Sequence, residues 1–68
     1  MTTEDAIDLS IAKATAAETD AAYFSSVIQS DAYQTNERFR TVIDARIAAA
    51  QAEAGLHQEI KIALVALL

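Results

Sequence analysis

A chain of 68 residues is one domain at most, and at this size folding buries only roughly 60% of the surface the unfolded chain exposes. The absence of cysteine excludes disulfides and thiolate metal sites, and a single histidine excludes any site that needs two. A net charge of -5 argues against nucleic acid or anionic lipid as a partner, so association with protein is the remaining way to stabilise so small a core.

The composition is that of a helical protein. The apolar fraction is 53%, but sixteen of those residues are alanine, the strongest helix former and a poor source of buried area. One glycine and no proline leave little to interrupt a helix.

In chain order, the first expected element is a helix over about 4–29. Thr2 stands three residues before Asp5, a loose relative of the capping box, and Glu4, Asp5 and Asp8 place negative charge in or near the first turn. A heptad-like stripe follows: Ile7, Ser10, Ala14, Ala17, Ala21, Phe24, Ile28, widened by Ile11 and Val27. The alternation Ile7-Asp8-Leu9-Ser10-Ile11 also fits a strand, which leaves a rival in which the helix begins near Ala16 behind a Thr15/Glu18 capping box. Ser30 to Thr35 is the turn candidate: Ser30-Asp31 can cap or break a helix, and Thr35-Asn36 can cap the next one. Without glycine or proline, one long kinked helix is the alternative.

The second helix spans about 36–54. One face carries Phe39, Val42, Ile43, Ile47, Ala50 and Ala54, and the nearly opposite face carries Ala45, Ala48, Ala49 and Ala52. Arg40 and Asp44 stand as an i,i+4 pair on its polar edge. Gly55 fits a C-terminal cap, which predicts a short third helix over about 57–67 with Leu56, Ile60, Ala63 or Leu64, and Leu67 on one face; the alternative is a mere weak point in one continuous helix. A strand reading of Ile60, Ile62, Leu64 and Ala66 is the alternative there. The expectation is an all-α fold: a small helical hairpin with a short third C-terminal helix, packed into an oligomeric bundle.

No constellation argues for chemistry. Glu53 and His57 have a metal-ligand spacing but supply two ligands where a structural site wants four. The serines lack a base and orienting partner, and no glycine-rich phosphate loop is present. Arg38, Arg40 and Arg46 point in different directions around their helix instead of forming a stripe, and are read as answering acids of the first segment, within the chain or across a subunit boundary. Neither catalytic, cofactor nor metal residues are assigned.

The candidate interface residues are Ala45, Ala48, Ala49 and Ala52, the tyrosines Tyr23 and Tyr33, and the apolar end Leu64, Leu67 and Leu68. The function expected is a non-enzymatic structural or assembly protein. It would associate with itself or with a larger protein assembly, such as a viral particle or shell. The alternative is a small acidic regulatory or inhibitory protein on a basic partner, because residues 1–34 carry six acids against Lys13 alone. No basic n-region precedes an apolar run, and the C-terminal apolar run falls short of a bilayer's roughly 20 residues, so the expected location is the cytoplasm or a virion.

Overall fold

The computed structural model describes residues 1–68 as three helices and no strand: α1 Thr3–Val27, α2 Asp31–Thr35 and α3 Glu37–Val65. α1 and α3 pack along each other as a helical hairpin, and α2 is the single turn of helix at the bend. Both stretches whose alternation resembled a strand, near Ile7 and near Ile60, are helical.

Each helix start follows from its capping side chain. The Thr2 backbone N–H donates to Asp5 Oδ2 (2.9 Å) and the Asp5 N–H donates to Thr2 Oγ1 (3.1 Å), so an aspartate completes the capping box. Ser30 accepts from the Tyr33 N–H at 3.3 Å, and Asn36 Oδ1 from the Phe39 N–H at 2.9 Å. Ser30 and Asn36, on either side of α2, sit in the extended region. Two extended residues thus reverse the chain with no positive φ anywhere, and the long-helix alternative does not occur. Polar side chains satisfy the carbonyls this turn leaves open. Gln34 Nε2 donates to the Ile28 carbonyl (3.2 Å), and Arg40 donates through Nε to Tyr33 O and through Nη2 to Gln34 O, both at 3.1 Å.

The interface between α1 and α3 is the heptad-like stripe. Ser10, Ala14 and Ala17 are buried on α1, with Ile7, Ala21, Phe24 and Ile28 half-buried above and below them. The Ser10 hydroxyl donates to Ala6 O at 2.9 Å, so the one polar member is satisfied. α3 contributes Phe39, Ile43, Ile47, Ala50 and Ala54. Ile43 is 7% exposed, whereas Val42, expected on the same face, is 52% exposed and points away.

α3 runs through Gly55 without interruption, so the expected short third helix is the second half of α3. Gly55 has no positive φ and no cap role. An unbroken helix keeps its phase, and the seam therefore continues from Ala54 to His57, Lys61 and Leu64, each half-buried. Leu56, Ile60 and Leu67 are left exposed. A Cβ built on Gly55 meets nothing within 4 Å. Gly55→Ala should accordingly stabilise the chain by about 0.4–1 kcal/mol, read as a raised midpoint of thermal unfolding. Destabilisation is the result a left-handed cap would give, and it would contradict a continuous α3.

The result is a rod, 51 × 15 × 13 Å in its Cα extents. Its radius of gyration is 15.5 Å, against about 11 Å for a compact chain of this length. No large side chain is fully buried. The accessible surface is 4894 Å², where a compact protein of 7.3 kDa exposes ~4,200 Å².

Candidate interaction surface

The second face of α3 is set by spacing. Val42, Ala45, Ala49, Ala52, Leu56, Ile60 and Ala63 follow one another at three or four residues, and Leu67 extends the row just past the helix end. At ~100° per residue all eight fall within about 80° of arc, centred roughly 130° from the seam with α1. All eight are exposed, and no charged residue interrupts the row. Its N-terminal half is narrow (alanine after Val42) and its C-terminal half is broad, with Leu56, Ile60 and Leu67.

The candidate residues divide among three places. Ala45, Ala49, Ala52 and Leu67 lie in this row, Ala48 lies at its edge, and Leu68 is exposed at the chain end. Leu64 is half-buried on the seam with α1. Tyr23 is exposed on α1, its ring edge-on to Phe24 at 5.3 Å between centroids. Tyr33 belongs to the turn. Val42, Leu56, Ile60 and Ala63 complete the row. Their spacing was visible in the sequence once Gly55 is read as an ordinary helical residue.

Exposed apolar side chains gather at the end of the rod where α1 begins and α3 ends. Leu9 and Ile11 on α1 and Leu56, Ile60, Ile62 and Val65 on α3 are all exposed there. Between them the seam is polar. His57 Nε2–H donates to Glu53 Oε1 at 2.9 Å, and Gln58 Nε2 donates across the hairpin to Glu18 Oε1 at 2.6 Å. An open groove lined by Ser10, Ile11, His57, Lys61 and Ile62 runs beside this seam. No third histidine, cysteine or carboxylate joins Glu53 and His57 in an arrangement able to hold a metal.

At the turn, the Tyr33 hydroxyl donates to Asp44 Oδ1 at 2.7 Å and the Arg40 guanidinium lies 5.6 Å from the ring centroid. Asp44 therefore pairs with Tyr33 and Arg40 with the carbonyls of α2, so the expected Arg40–Asp44 pair does not form. Nor do Arg38 and Arg46 make an ion pair with acids of α1; His57–Glu53 is the one ion-pair geometry in the chain. The bond to Asp44 raises the Tyr33 pKa above the ordinary phenol value, with desolvation and the Asp44 charge adding and Arg40 opposing. A raised folded-state pKa means that the neutral phenol is favoured by folding. The associated stability is present below the ordinary phenol pKa and is lost as pH rises through the raised one. Asp44→Asn in a Tyr23→Phe background, where Tyr33 is the sole tyrosine, should move the phenolate absorbance titration to lower pH. An unmoved titration would exclude Asp44 as the cause.

Comparison of the chain with protein-family models, with curated proteins and with solved structures gives no match. No helix is long and apolar enough to cross a membrane.

Proposed function

We propose that this chain is a non-enzymatic structural protein that acts by protein–protein association. It associates with itself or with a larger protein assembly, and an accessory or stabilising subunit of a viral particle or another shell is the kind of role that fits. The observation that carries this reading is the uninterrupted apolar row on the outer face of α3, exposed along a rod that buries no large side chain completely. Contiguous exposed apolar surface of this kind marks an interaction site. An acidic surface on α1 and a net charge of -5 direct the partner toward protein and away from nucleic acid or anionic lipid.

The test is light scattering on the purified chain at micromolar concentration. A mass of two or more chains is the expected result, and a well-folded monomer would overturn self-association. The acidic regulatory reading rests on a different observation. Glu4, Asp5, Asp8, Asp20 and Asp31 are exposed and form no ion pair within the chain. Docking of that kind on a basic protein would weaken steeply with salt, and a salt-independent partner would set it aside.

A further inference from the structure

Resting on the self-association reading, we infer that the occupant of the outer face of α3 is the same face of a second copy, packed antiparallel about a two-fold axis crossing near Ala54. The shape of the row selects this arrangement. Small residues occupy its first half and large residues its second, so a parallel pair would set alanine against alanine at one end and Leu56, Ile60 and Leu67 against themselves at the other. Two straight helices cannot follow so tapered a gap without splaying. Reversal of one helix removes the taper. Ala52 then faces Leu56 of the second copy, Ala49 faces Ile60, Ala45 faces Ala63, and Val42 faces Leu67. The two innermost layers on each side of the axis each combine one small and one large side chain, which holds the helix separation even at the ~8–10 Å typical of packed helices.

Three further observations agree. The row itself carries no charge from Val42 to Leu67, and the acids beside it, Glu53 and Glu59, are exposed at its two edges, where a polar rim keeps its water. It lies roughly 130° from the seam, which places each α1 on the far side of its own α3, clear of the partner. The rod exposes 4894 Å², a surplus of about 700 Å² over a compact protein of its mass, close to the ~800 Å² each partner buries in a standard interface. A two-fold contact uses the same patch on both copies and closes on itself, giving a dimer and not a fibre. The antiparallel order also opposes the two helix dipoles.

The experiment is pulsed dipolar spectroscopy on the full chain, nitroxide-labelled in turn at Thr41→Cys and at Gln51→Cys, both exposed and outside the row. The axis near Ala54 offsets Thr41 from its copy by ~40 Å along the helix and Gln51 from its copy by ~10 Å, so even with Gln51 on the far side of α3 a longer distance at the first site than at the second is expected. A distance at Thr41 no longer than that at Gln51 in a dimer would mean parallel packing, or an axis far from Ala54. That result overturns the antiparallel pairing and leaves self-association standing. Absence of dipolar coupling at both sites, together with a monomeric mass, would overturn the two readings together.

Discussion

Replacing Leu56 and Ile60 together with glutamate should leave the hairpin folded and convert the associated chain to monomer. The two side chains are 50% and 38% exposed, and neither belongs to the seam with α1, so their loss opens no cavity within the hairpin. In the associated state both lie near the middle of the contact. Covering what each still exposes contributes roughly 1 kcal/mol per side chain, four such side chains meet in a two-fold dimer, and a carboxylate in each place has to be desolvated as well. Loss of both should weaken association at least ~100-fold, since each 1.4 kcal/mol is tenfold. Sedimentation of the double variant across a concentration series measures this, with circular dichroism reporting the helices. Gln51→Glu adds a charge to α3 away from the row and should leave the mass unchanged. If the double variant keeps the wild-type mass, the outer face of α3 is not the contact.

The second large effect is expected inside the hairpin, at two adjacent residues. Ile43 is 7% exposed and Val42 is 52% exposed. Ile43→Ala removes the largest buried side chain of the seam and should cost about 2–5 kcal/mol. A chain of this size has a total stability of roughly 3–5 kcal/mol from a single core, so the variant should be largely unfolded without a partner. Val42→Ala should cost the hairpin well under ~1 kcal/mol, because its methyls already meet water. The comparison belongs in the Leu56→Glu, Ile60→Glu background, where association does not contribute, and urea denaturation followed by circular dichroism reads it. Equal costs at the two positions would mean that α3 presents a different face to α1.

Much of this architecture was legible in the residues themselves. The α1 stripe from Ile7 to Ile28 is the seam observed, because a spacing of three and four leaves a helix one face to bury. The cap at Thr2, and those within the pairs Ser30-Asp31 and Thr35-Asn36, were legible for a similar reason: a short polar side chain before a helix has an open N–H within reach, and the structure takes Ser30 and Asn36. Other features were not. Val42 and Ile43 are consecutive, and hydrophobicity alone does not say which of two neighbours takes the centre of a stripe. Arg40 has Asp44 one turn away, but the carbonyls at the end of α2 offer its guanidinium two bonds, and Tyr33 takes the carboxylate.

Gly55 had the widest consequence. A glycine after an apolar run reads as a stop, and a stop allows the next segment to turn Leu56, Ile60 and Leu67 inward. In the folded chain Gly55 is one helical residue among twenty-nine. With the helix unbroken, phase carries His57 and Lys61 to the seam and leaves the large apolar residues outside. The candidate surface inherits this, since a row divided at Gly55 becomes one face reaching from Val42 to Leu67.

By itself the sequence determined the helical class, the α1 side of the core and, to within a residue, the places of the caps, because these depend on propensity, on period and on groups within four residues of one another. The tertiary structure decided which of two adjacent apolar residues is buried, which partner each turn side chain takes and which face of α3 is left uncovered. Those outcomes depend on how one long helix is rotated against another, and that rotation is set by the packing of both helices at once.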